Sequence, residues 1–218
     1  MIFQAQFPRQ GLYAITPENI LKDENRLEKI KAVILGGAKV IQLRLKNQNK
    51  TKSFMDKIIQ IKKICEHFSV AFIVNDDVEL AIKIEADGVH LGQHDLSYPA
   101  ARRILGNDKI IGISCYNNMS RAVDAAARGA SYIALGSFYN SVTKTRAPRC
   151  SINILQQTSK KIKVPIVAIG GITAENGLTL IENGANLLAC IDALFKDNNG
   201  FNSARKLNLL FERVIANE

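Results

Sequence analysis

Short β-branched runs alternate with amphipathic stretches along the chain, about eight times in all. GLYAIT precedes ENRLEKIKAVILGG, AKVIQLRL precedes KSFMDKIIQIKKICEHF, VAFIVN precedes DVELAIKIE, and DGVHL precedes YPAARRIL. The second half continues in kind: KIIGIS before NMSRAVDAAARG, SYIALG before SINILQQTSKKI, VPIVAIG before TAENGLTLIENG, and ANLLACI before NSARKLNLLFERVI. Continuously apolar strands, each followed by a helix with one apolar face, predict a parallel sheet covered by helices. Such alternation in 218 residues matches the count and lower size limit of a closed (β/α)₈ TIM barrel, expected as one domain over 1–218 with elements from about 11 to 216. The segments GGAKVIQL, EADGVHLG, RGASYIAL and NGANLLAC echo one another about every 50 residues, which agrees with four related quarter-barrels. An open doubly wound sheet shares the alternation, but no GxGxxG follows the first strand.

A barrel of this kind carries its chemistry where strands end and βα loops begin. The polar residues expected there are Thr16 after strand one, Gln42, Arg44 and Lys46 after strand two, and Asn75 and Asp76 after strand three. Gln93 and Asp95 follow strand four, Ser114 strand five, GSFYNSVTKTRAP strand six, Gly170 and Gly171 strand seven, and Asp192 strand eight. Gln42, Arg44 and Lys46 share one parity, so an extended backbone projects all of them to the same side. Two cations aimed inward make an anion site: Arg grips phosphate oxygens in pairs, and Lys acts as a compact positive charge. Asp76 and Asp95 end neighbouring strands and suit a shared Mg²⁺, which takes one or two carboxylates and completes its shell with water and phosphate oxygens. Each is also a candidate helix cap, Asp76 ahead of VELAIKI and Asp95 ahead of LSYPAARRI. The segment after strand six, about 13 residues long, exceeds what a short βα connection needs. It offers the hydroxyls of Ser141 and Thr143 and the charge of Lys144 to a bound ligand. After strands seven and eight, AIGGI and ACID present main-chain N–H groups to a second anion, with glycine allowing close approach.

The chain carries 29 Lys and Arg against 20 Asp and Glu, a formal +9 that suits an anionic partner. Its lysines are spread over helices, it has no Trp and only 6% aromatics, and a stacking surface for nucleic acid is therefore not expected. The four cysteines form no CxxC pair, which argues against a zinc knuckle or a redox motif and for reduced, buried thiols. Among the histidines, His90 and His94 in HLGQH fall at a strand end and turn, where structural roles are expected, as for His67. MIFQAQFPRQ has no secretory pattern, and no apolar run approaches the roughly 20 residues of a membrane span. A cytoplasmic chain with no membrane partner is expected; assembly as a homo-oligomer is compatible with the sequence.

The ordered pieces YAIT, QLRLK, NDD, ADGVHLGQHD, GIS, GASYIALG, SVTK and VAIGGI, with the GA opening strand eight, resemble those of the thiamine-phosphate synthase family. The resemblance spans roughly residues 11 to 195. It implies condensation of 4-amino-2-methyl-5-hydroxymethylpyrimidine diphosphate with 4-methyl-5-(2-phosphoethyl)thiazole, giving thiamine phosphate and pyrophosphate. Carried over residue by residue, it implies that Gln42, Arg44, Lys46, Asn75, Ser114 and Lys144 hold the pyrimidine diphosphate. Arg44, Lys46, Lys144 and Ser114 would be the catalytic set, with Asp76 and Asp95 holding Mg²⁺. Ser141, Thr143, Gly171 and the Ile191–Asp192 backbone would hold the thiazole phosphate. Ser141 stands where the family usually has Thr, Asp192 where many members have Ser, and Tyr116 where relatives often have His. The nearest alternative is a thiazole tautomerase-like isomerase of the same fold, which lacks the full diphosphate and metal set; another is a non-catalytic phosphometabolite-binding barrel.

Overall fold

The structure is a computed structural model, in which residues 6–45, 51–140 and 148–215 are described. Eight parallel strands close on themselves in chain order: β1 Gly11–Ile15, β2 Ala38–Leu43, β3 Ala71–Asn75, β4 Gly88–Leu91, β5 Ile110–Tyr116, β6 Tyr132–Gly136, β7 Ile166–Ile169 and β8 Leu187–Cys190. Closure is made by β1 and β8, with Leu12 beside Leu188 and Ala14 beside Cys190. The expected TIM barrel is thus present. Its helices are α1 Arg26–Leu35, α2 Lys52–His67, α3 Val78–Lys83, α4 Tyr98–Leu105, α5 Met119–Ala127, α6 Ile152–Ser159, α7 Gly177–Glu182, α8 Asp192–Phe195 and α9 Gly200–Ile215. The four-residue α8 is an addition to the expected pattern, in which β8 runs directly to the C-terminal helix.

Strand parity sorts the apolar residues into two clusters. Leu12, Ala14, Ile41, Leu43, Phe72 and Val74 face outward and pack with the helices, whereas Tyr13, Ile15, Val40, Ala71 and Ile73 face into the barrel. Because side chains alternate along a strand, Gln42, Asn75, His90 and Ser114 fall on the inward parity as well. One inward glycine makes room for a large ring. A Cβ on Gly112 would lie 1.9 Å from Cζ of Tyr132, so only a glycine at β5 lets that tyrosine lie across the interior.

The four echoed segments each lead into an even-numbered strand, and each holds a left-handed residue at a helix end: Gly37, Glu85, Gly129 and Gly184. In three of them the next N–H reaches back five residues, Ala86 to Ala81, Ala130 to Ala125 and Ala185 to Leu180. This is a helix-terminating turn in which a positive φ releases the last carbonyls to bond with the departing chain. The repeat in the sequence is therefore a repeated helix stop.

Candidate active site

The pairing of β1 with β2 extends one step past the sheet. Thr16, fully buried just beyond β1, donates its N–H to the Gln42 carbonyl at 2.9 Å and accepts from the Arg44 N–H through Oγ1 at 3.0 Å. These bonds fix the backbone at Arg44, which is buried with Nη1 2.6 Å from Glu18 Oε1. A desolvated guanidinium is costly without a partner, and Glu18 supplies one from the more exposed side. A guanidinium fork of this kind serves carboxylate and phosphate oxygens alike.

Three residues expected beyond strands lie within them: Gln42, Ser114 and Asn75, the last being the final residue of β3. Gln42 belongs to β2 and is buried, its Nε2 donating to Tyr13 Oη at 2.8 Å. Ser114 belongs to β5, which runs on to Tyr116 through an irregularity in its pairing with β6. Polar side chains sit inside these strands because the barrel interior offers them partners. Tyr13 and Tyr132 hydroxyls are 2.8 Å apart, Tyr132 Oη is 3.0 Å from His90 Nδ1, and His90 Nε2 is 2.9 Å from Ser114 Oγ. A continuous run of side-chain hydrogen bonds thus joins Gln42 to Ser114 across the interior. Burial pushes both tyrosine hydroxyls well above their ordinary pKa, so each keeps its proton. His90 is buried and has the structural contacts expected of it, but they end on a rim residue.

The carboxylates settle differently. Asp77, and not Asp76, caps α3 by accepting from Leu80 N at 2.8 Å, which corrects the cap alternative for Asp76. Asp76 instead holds a left-handed backbone, φ 64°, with its N–H on the His90 carbonyl at 2.8 Å. An aspartate tolerates this conformation better than most residues, yet the strain still marks a position held for some purpose. Asp95 does not cap α4 either. The N-cap is Ser97, and Asp95 Oδ2 accepts from Gly92 N at 2.6 Å just past β4. Both carboxylates are thereby tied to the end of β4, one through its backbone and one through its side chain. Asp95 keeps a second oxygen for other bonds. No group of three or more His, Cys, Asp or Glu residues able to hold a metal occurs among the described residues. A carboxylate pair that leaves most of a coordination shell to water and phosphate fits Mg²⁺ better than zinc.

Past β6 the chain is fastened at both described ends of its long connection. Ser137 exchanges backbone bonds with Pro148 and Cys150, while Arg149 donates to the Phe138 carbonyl at 2.8 Å and to the Asn140 side chain. Phe138 and Tyr139 donate to the carbonyls of Ile169 and Gly170, fixing this stem to the end of β7. Gly171, φ 61°, passes beneath it: a Cβ there would lie 2.2 Å from the Asn140 carbonyl oxygen. Ile191 is the N-cap residue of α8 and Asp192 its exposed first residue. The expectations for Lys46, Ser141, Thr143 and Lys144 lie outside the described residues.

Glu18, Tyr13, Tyr132 and Gly92 had no functional reading in the sequence, and Thr16 was named there only by its place after strand one. The tyrosines read as apolar strand residues, and only parity combined with the inward polar partners could have singled them out.

The thiamine monophosphate synthase family profile matches residues 12–194. The chain belongs to this family. It is 42% identical over 204 residues to thiamine-phosphate synthase of Nitrosospira multiformis, covering 93% of this chain and 86% of that one. Against thiamine-phosphate synthase of Methylobacillus flagellatus the identity is 44% over 205 residues, covering 94% and 96%. The solved thiamine phosphate pyrophosphorylase of Pyrococcus furiosus superposes with a TM-score of 0.84 at 29% identity, covering 95% of this chain and 98% of that one. The family's activity is thiamine-phosphate synthesis, a transfer that releases pyrophosphate. Among the described residues no helix is long and apolar enough to cross a membrane.

Proposed function

We propose that this transferase joins 4-amino-2-methyl-5-hydroxymethylpyrimidine diphosphate to 4-methyl-5-(2-phosphoethyl)thiazole at the barrel mouth, with Mg²⁺ held by Asp76 and Asp95. The supporting observation is that four consecutive strands, β2 to β5, direct Gln42, Arg44, Asn75, Asp76, Asp95 and Ser114 to one barrel end in a chain of this family. The pyrimidine carbon–oxygen bond breaks with its electron pair leaving on pyrophosphate. The ring's amino group delocalises the resulting cation, and the thiazole nitrogen then supplies the pair for the new carbon–nitrogen bond.

When bound, the metal would neutralise charge growing on the leaving group. Arg44, Lys46 and Lys144 would add positive charge there, and a preorganised donor contributes roughly 3–4 kcal/mol. Gln42, Asn75 and Ser114 hold the pyrimidine ring. Ser141, Thr143, Gly171 and the Ile191–Asp192 main chain take the thiazole phosphate; the exposure of Asp192 lets its carboxylate turn away from that anion. Arrangement around an alkyl transfer leaves little acid–base work for the protein, consistent with the metal and diphosphate set of a synthase and not with a tautomerase. Four buried, unpaired thiols fit a reducing cytoplasm, with burial pushing Cys115 and Cys190 up to about 12 and Cys150 to about 11.

Arg44→Ala is expected to weaken pyrimidine diphosphate binding by tenfold or more while leaving thiazole phosphate binding nearly unchanged. Calorimetric titration of each substrate checks this, and equal losses for both would defeat the two-anion arrangement.

A further inference from the structure

We propose that Gln42, Tyr13, Tyr132, His90 and Ser114 form one directional hydrogen-bond chain, in which the interior residues set together which of the two ends offers a donor to the substrate ring and which an acceptor.

Each link is short, from 2.8 to 3.0 Å, and each interior member has a single transferable choice. A phenol has one proton to donate, and a neutral imidazole has one N–H and one acceptor nitrogen. With the Gln42 amide nitrogen on Tyr13, the Tyr13 proton goes to Tyr132 and the Tyr132 proton to His90 Nδ1. His90 then carries its hydrogen on Nε2 and donates to Ser114, whose own proton is left for the mouth of the barrel. Gln42 keeps its carbonyl oxygen as an acceptor. Turning the Gln42 oxygen inward would reverse every proton in the run: His90 would hold its hydrogen on Nδ1, Ser114 would donate inward, and the two ends would exchange roles. An intermediate arrangement leaves a buried hydroxyl or ring nitrogen without its bond, at a cost that keeps the ends in step.

The surroundings suit such a switch. Tyr13 and Tyr132 are fully buried, Phe7 stacks on the Tyr132 ring at 4.0 Å, and the His90 ring lies nearly parallel to it at 5.6 Å. Gly112 provides the space. Resting on the function proposed above, the direction that follows from the Gln42 amide placement matches an aminopyrimidine: an exocyclic amino group donates to Gln42, and a ring nitrogen accepts from Ser114. A ring with an oxo group and an N–H at these places presents the opposite pattern and meets the reversed, disfavoured chain. Tyr13, Tyr132 and His90 are thereby positioning residues for ring specificity, acting through the two ends.

The test begins without substrate. Nitrogen-15 NMR of histidine-labelled protein is expected to show His90 as the Nε2–H tautomer in the wild type. Tyr132→Phe, Tyr13→Phe and the remote Gln42→Leu are each expected to release it into a mixture while the melting transition stays cooperative. In calorimetric competition, the preference for the 4-amino over the 4-oxo pyrimidine diphosphate is expected to fall about tenfold in Tyr132→Phe, the loss of one well-made hydrogen bond. An Nδ1–H wild type, or a tautomer that none of the three substitutions moves, overturns the chain. Tautomer data that follow the expectation in a protein that binds no pyrimidine would count against the proposed substrate and leave the chain standing.

Discussion

Asp76 and Asp77 stand side by side in VNDD, and the backbone gives them opposite work. Asp77 caps α3, so Asp77→Ala is expected to cost about 1 kcal/mol of stability with magnesium dependence intact. Asp76 carries a positive φ that glycine adopts freely, so Asp76→Gly is expected to leave stability unchanged or improved. The same change removes a proposed metal ligand, and turnover is expected to drop by about 10²–10³-fold. Urea denaturation and steady-state rates on both variants check the division; a larger stability loss at residue 76 than at 77 would contradict it. Sequence named Asp76 as a cap or ligand candidate and passed over Asp77, because the dihedral angle that separates the two is set by the register of β3 against β4. Arg44 was legible as an inward cation from parity alone. Its partner Glu18 was not, because their ion pair joins two different loops.

At the scale of elements, the strand-and-helix alternation was readable because burial on both sides makes each strand uniformly apolar and each helix one-sided. The ends of the strands were less so: β5 reaches Tyr116, and Ser114 lies within it, because an inward polar residue continues a strand when a buried partner awaits it. The short α8 carried no periodic signal at four residues. Packing between strands suggests a sharp test. Gly112→Ala would drive a methyl into the Tyr132 ring and is expected to cost at least about 1–3 kcal/mol, read from denaturant midpoints, whereas an unchanged midpoint would mean that the ring does not cross there. Lower in the barrel, Asp87 accepts from Phe72 N at 2.8 Å, and burial raises its pKa above the ordinary 3.8. A raised carboxyl pKa means that the folded state binds the proton more tightly than the unfolded one. Its contribution is present below 3.8 and is lost as pH rises through the folded-state value. Asp87→Asn removes that dependence, so the melting temperature of the variant relative to wild type is expected to climb between about pH 4 and pH 7. A constant difference would show that the carboxyl is not perturbed.

For the whole molecule, closure of eight parallel strands gathers residues separated by over a hundred positions at one mouth, from Thr16 to Ile191. That gathering is why the motifs were weak singly and informative in order: each supplies one or two groups, and only the barrel brings them together. A net +9 charge adds a background field that favours phosphorylated substrates, although the selective charges are the few fixed at the rim. The most direct test gives the purified protein both substrates and follows thiamine phosphate and pyrophosphate, first with Mg²⁺ and then with excess chelator. Equal amounts of both products, formed with the metal and abolished without it, are predicted. Absence of either product with Mg²⁺ present, or turnover undiminished by the chelator, would contradict the account.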